Sequence, residues 1–225
     1  MLGIDACRAG WVAIAWSGDA IRAYVHAEIA AIAAMAAADG PVHAIGIDIP
    51  IGLADSALRQ ADVLARKAAG VRWASVFVTP VRPALLIEDY ASASTLNREL
   101  TGGGISTQAY NLRDKILQVD GWLPNADCPV AEVHPELTFA ALAGAPLADS
   151  KSTWPGAVRR RRLLADAGID VRGDLGLTGR LVGVDDVLDA AAVAWTAGRV
   201  ARGAATCLPD PPERFSDGIA CAIWT

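Results

Sequence analysis

A chain of 225 residues that is 53% hydrophobic and 20% charged carries enough apolar side chain for a large core, which excludes an intrinsically disordered protein. Its 20 Lys and Arg against 25 Asp and Glu give a net charge of -5, so a general basic surface for nucleic acid is excluded and any polyanion contact has to be local. The four cysteines, Cys7, Cys128, Cys207 and Cys221, have neither CxxC spacing nor companion histidines, which excludes zinc-finger chemistry and fits reduced thiols.

Residues 2–5 and 10–17 predict a strand, a tight turn and a second strand, with Ser17, Gly18 and Asp19 turning the chain into a third near residues 21–26. The start places Asp5 where a secretion signal needs a basic and then apolar stretch, and no apolar run of about 18 residues follows. A cytoplasmic protein without a membrane segment is therefore expected. Residues 28–38 are alanine-rich, with Ile29, Ile32 and Met35 at helical spacing, and Gly40 and Pro41 stop that helix. Residues 45–53 then read as a buried strand whose only ionisable side chain is Asp48, ended by Pro50 and Gly52.

Beyond it, Ser56 is placed to cap a helix running to Gly70, and residues 71–82, broken by Pro80 and Pro83, read as a short strand or extended loop. Helices are expected over residues 90–100 and 107–120, separated by a glycine-rich loop with no nucleotide-cradle spacing. Residues 55–125 thus form an inserted helical or cap region within a single domain spanning residues 1–225. A strand over residues 130–136 would alternate Glu132, His134 and Glu136 onto one face, with Pro135 marking its end. A helix from Trp154 to near Gly168 carries Arg159, Arg160, Arg161 and Arg162, read as a solvated surface. A glycine-rich loop leads to the last helix, residues 184–203, and Pro209, Pro211 and Pro212 break the chain before a final strand over residues 218–224.

The acids carry the chemistry. Gly3, Ile4 and Asp5 are echoed by Gly46, Ile47 and Asp48, so two strands each end on a carboxylate. Asp186 and Asp189 are spaced i, i+3 and share one helix face, while Asp185 suits the positive end of the helix dipole. Mg²⁺ and Mn²⁺ need several oxygen ligands from separate elements, and a carboxylate cluster can hold two ions about 3.5–4 Å apart on a phosphodiester. Asp5, Asp48, Asp186, Asp189 and either Glu132 or Glu136 are the candidate ligands. His134 is a candidate substrate contact, acid or base, or a satisfied core histidine. Lys151, in a small polar loop, and Arg82 are candidate phosphate contacts.

Residues 3–11, 45–53, 132–136 and 185–191, with residues 101–112 and 150–153, together resemble the DUF429 family across nearly the whole chain. That family is described as predicted nucleases of the ribonuclease H-like fold. The resemblance implies an α/β domain whose mixed sheet has three antiparallel strands and then parallel ones, flanked by helices, with the first and fourth strands adjacent. That would set Asp5 beside Asp48. The last-helix acids also resemble the Holliday-junction resolvase branch.

The reading that follows is a Mg²⁺- or Mn²⁺-dependent phosphodiester hydrolase acting on nucleic acid or a nucleotide. Asp5, Asp48, Glu136 and Asp186 or Asp189 are its metal ligands, and His134, Lys151 and Arg82 meet the substrate. Two rivals stand beside it: an actin-like or sugar-kinase-like nucleotide-binding protein, and a non-catalytic binding protein of the same fold. Oligomeric state is open, a homodimer included.

Overall fold

The structure, a computed structural model, describes residues 1–18, 20–177 and 182–225. Asp19 of the expected turn and residues 178–181 of the glycine-rich loop lie outside the described residues. Strands β1 (Leu2–Cys7), β2 (Gly10–Ser17) and β3 (Ala20–His26) pair antiparallel, as their alternation predicts. Helix α1 (Ile29–Asp39) buries Ile29, Ile32 and Ala36, and β4 (Ile45–Ile47) then pairs parallel with β1. The strand expected over residues 45–53 is therefore short, and Asp48 lies just past its end.

Between β4 and the next strand come α2 (Gln60–Ala68), a 3₁₀ turn (Gly70–Ser75), α3 (Arg82–Leu85), α4 (Tyr90–Thr101), α5 (Thr107–Asn111) and α6 (Arg113–Trp122). The second half of this segment follows the sequence signals, except that one expected helix is split in two at Leu112. The first half departs from them. Ser56 caps nothing; α2 starts after Arg59, whose buried guanidinium is drawn to Glu132. Residues 76–81 are extended without strand pairing, because Asp62 and Asn97 take the amides of Thr79 and Val81. The last helix, α6, returns to the sheet, where Gln118 Oε1 accepts from Trp11 Nε1 at 2.5 Å and from the Ile29 amide at 2.9 Å.

The chain continues through β5 (Val130–Val133), α7 (Pro135–Ala143), α8 (Trp154–Asp166), α9 (Val184–Ala201), β6 (Cys207–Arg214) and β7 (Ala220–Trp224). Seven strands form one sheet in the order β3-β2-β1-β4-β5-β7-β6, with β1, β4, β5 and β7 parallel. This is an α/β fold with a mixed sheet and flanking helices, consistent with the ribonuclease H-like topology. Pro209, Pro211 and Pro212 interrupt the ladder, whose pairing with β7 shifts register between Leu208 and Glu213, but they do so inside β6, an edge strand that continues through them.

Two apolar layers sandwich the sheet. Leu2, Ile4, Trp11, Ile45 and Ile47 pack with α1 and with Ile116 and Val119 of α6 on one face. Val12 and Ile14 pack with Phe139 of α7, Leu164 of α8 and Leu188 of α9 on the other. Among the described residues no helix is long and apolar enough to cross a membrane.

Candidate active site

The echo of Gly, Ile and Asp has a geometric cause. Gly3 pairs with Gly46 and Ile4 with Ile47, and the Asp48 amide donates to the Ile4 carbonyl at 3.0 Å. The register thus runs one residue past β4 and sets Asp5 beside Asp48. Two residues before each aspartate, on the same face of its strand, the missing side chain matters. A Cβ on Gly3 would stand 2.1 Å from the Ala190 carbonyl oxygen and the Ala194 nitrogen, and one on Gly46 would stand 2.7 Å from Val193 Cγ1. Helix α9 lies directly on the two glycines, which brings Asp189, the residue before Ala190, over the paired carboxylates.

The cluster is short of positive charge. Asp5 and Asp189 are buried and Asp48 is half-buried at the open end. Burial, and then repulsion from Asp48 and Asp189, push the Asp5 carboxyl well above its ordinary range. Burial also raises Asp48 and Asp189, against the attraction of His134 and Lys151 on the first and of Lys151 on the second. Lys151 Nζ lies 2.5 Å from Asp189 Oδ2 and 3.9 Å from Asp185 Oδ2. Asp189 on balance holds the Lys151 ammonium above its usual range, with Asp5 and Asp48 adding to the pull. Asp189 Oδ1 is buried and has no hydrogen-bond partner among the described residues.

The other sequence candidates fall in three places. Asp186 Oδ2 accepts from the Gly183 amide at 2.9 Å, closing the N-terminus of α9, and its charge also raises Asp5. Glu136 does not continue a strand beside Glu132. Pro135 is the first residue of α7, a position where its missing amide donor is harmless, so Glu136 sits in the first turn of a helix. There both its oxygens accept from Arg160 Nη2, at 2.7 and 2.9 Å. Its charge still raises Asp48 and Asp189. His134, just before α7, has Nε2 3.3 Å from the Ser75 carbonyl and a buried Nδ1 without a partner.

Glu132 lies in a separate network. Its Oε2 accepts from Arg59 at 2.5 Å and from the Ile51 amide at 2.7 Å, while Asp62 takes the Thr79 amide and hydroxyl. Burial pushes Glu132 up to about 7 despite Arg59. Arg82, the other candidate phosphate contact, holds Asp120 at 2.5 Å and Asp217 at 2.7 Å, joining α6 to the turn before β7. Sequence reasoning also missed Arg59 and Arg160, both fully buried. The signal for Arg160 was present, since Gly156, Arg160 and Leu164 are spaced i, i+4, i+8 and form the buried stripe of α8.

Among the described residues no three Asp, Glu, His or Cys side chains already stand as a ligand array for a metal ion. Lys151 occupies Asp189, and Asp186 caps its helix. The donor chemistry nevertheless suits Mg²⁺ or Mn²⁺. Asp5, Asp48 and Asp189 offer only oxygen, have one ion pair among them, to Lys151, and include one buried oxygen without a partner among the described residues.

A family model described as "Protein of unknown function (DUF429)" matches residues 3–214. No curated protein and no solved structure matches the chain.

Proposed function

The chain belongs to the DUF429 family, and from the charge of its acid cluster we propose that it is a Mg²⁺- or Mn²⁺-dependent phosphodiester hydrolase acting on nucleic acid or a nucleotide. The observation that carries this reading is the set of Asp5, Asp48 and Asp189, gathered at the carboxyl ends of parallel strands with one ion pair among the described residues, Lys151 on Asp189. Ligand sites of open α/β sheets lie at that edge. Burying like charges without neutralising them destabilises a fold, which supports reading the cluster as a cation site.

Asp5, Asp48 and Asp189 would hold the ion, with Asp186 within one helical turn to complete the set. When bound, such an ion supplies a Lewis acid for the phosphoryl oxygens and a water acidic enough to ionise near neutral pH. The chain supplies the rest. Lys151 is the ammonium that meets the negative charge developing on phosphate, and its loop position lets it turn from Asp189 toward a bound diester. His134, on the Asp48 side, keeps a buried Nδ1 free to hold or deliver a proton. Glu136, held by Arg160, contributes negative potential to the cluster and stays out of the ligand set.

Incubation with Mn²⁺ and a panel of oligonucleotides and small diesters tests the reading. Hydrolysis by the wild type and its loss in Asp5→Asn and Asp48→Asn are expected. Equal turnover in the variants would contradict it.

A further inference from the structure

Two tryptophans stand exposed on segments tied to the loop that carries Lys151. Trp154, in the first turn of α8, is 79% exposed, and Trp73, in the 3₁₀ turn, is 54% exposed. Large aromatic side chains rarely stay this open without a partner, and these two are tied to the same piece of chain. Arg72, next to Trp73, donates to the Leu147 carbonyl at 3.0 Å and to the Ala148 carbonyl, at the start of the loop that carries Lys151. Trp154 closes that loop, which is tightened by the Thr153 amide and hydroxyl on the Ser150 carbonyl at 3.0 and 2.8 Å. The carbonyl of Ser75, two residues after Trp73, lies 3.3 Å from His134 Nε2, and because a carbonyl can only accept, Nε2 carries the proton there. The aromatic pair therefore brackets the Lys151 loop and reaches the His134 side of the cleft.

Cations interleave with the rings. The Arg66 guanidinium stacks 4.6 Å from the centroid of Trp73. On α8, Val158 lies one turn beyond Trp154 and is exposed, with exposed Arg162 a further turn along the same face. A protein partner would favour a contiguous apolar patch, whereas here the rings are separated by a polar loop and flanked by guanidinium groups. Rings that offer flat faces among cations suit unpaired bases on a phosphate backbone.

We propose that the surface formed by Trp73, Trp154 and Arg162 binds single-stranded nucleic acid and feeds it to the acid cluster. This rests on the hydrolase reading for what happens at the cluster, but the binding itself does not require it. Duplex is the disfavoured form, because its bases are already stacked and the chain has no broad basic face to hold two backbones.

The test is fluorescence anisotropy of the full chain with a labelled 12-nucleotide strand, alone and annealed to its complement, in EDTA so that no turnover is needed. The single strand should bind at least about tenfold more tightly than the duplex, and Trp154→Ala and Trp73→Ala should each weaken it about tenfold, with Trp154→Phe restoring most of the loss. Equal affinity for both forms, or no change in the alanine variants, would overturn the proposal even if diesters are hydrolysed. Strong single-strand binding with no hydrolysis would instead overturn the hydrolase reading and leave this surface standing. If sedimentation shows that Trp154→Ala splits a dimer, the occupant is a second copy and the proposal fails.

Discussion

Buried carboxylates meet two different fates in this molecule. Glu136 has both oxygens on Arg160, and Glu132 and Asp62 share Arg59 while the amides of Ile51 and Thr79 fill their remaining positions. Among the described residues, Asp5, Asp48 and Asp189 have one lysine ion-paired to them and an oxygen with no partner. The first group is closed by buried arginines, Arg160 Nη2 reaching both oxygens of Glu136 and Arg59 Nη2 reaching Glu132, and it holds the fold. The second is left open, with the Lys151 ammonium as its ion-pair partner. The difference separates acids that the chain neutralises for itself from acids that it leaves for something else to neutralise.

Breaking a closed pair should cost most. Arg160→Ala leaves Glu136 buried and unpaired, and urea unfolding should show a loss of about 3–5 kcal/mol, whereas Arg160→Met combined with Glu136→Leu should recover most of it. A loss below about 1 kcal/mol would mean that Glu136 is not dependent on its partner. Opposite behaviour is expected at the open cluster: Asp5→Asn should raise the melting temperature of the metal-free protein at pH 8 while lowering Mn²⁺-dependent hydrolysis by roughly 100-fold or more. A variant that is both less stable and fully active would reverse the comparison.

Saturating Mn²⁺ should then stabilise the wild type by about 2.7 kcal/mol at a hundred times its dissociation constant, and much less in Asp189→Asn. The smallest effect is on pH. Asp5, Asp48 and Asp189 have folded pKa values raised above their unfolded ones, so the folded chain binds more protons and stability falls as pH rises through that interval. A tenfold stronger hold on a proton in the folded chain is worth about 1.4 kcal/mol. Lys151, also raised, keeps its contribution throughout that range and loses it only above the ordinary lysine range. Thermal melts from pH 5 to pH 8 in EDTA should therefore decline, and Asp189→Asn should flatten the decline.

The open cluster was the more legible of the two regions. Repeated Gly, Ile and Asp in two strands reflects a shared register and a shared helix, and both leave their mark locally as small residues followed by an acid. The i, i+3 spacing of Asp186 and Asp189 likewise placed both on α9. Sequence could not separate their tasks, because capping Gly183 and meeting Lys151 depend on where loops return. The closed pairs were hidden for the same reason. Arg160 and Glu136 lie 24 residues apart, Arg59 and Glu132 lie 73 apart, and an arginine destined for the interior has the same local pattern as a surface one. Pro135 misled by its double meaning, ending one strand and opening α7 at once. In β6 the prolines misled because edge position is a property of the sheet, not of the segment.

Whether the open cluster holds a divalent cation is tested most directly by isothermal titration of Mn²⁺ into the full chain, beside Asp5→Asn and Asp48→Asn. Binding by the wild type, weakened at least about tenfold in both variants, is the predicted result. Absence of binding, or equal affinity in all three proteins, would contradict it.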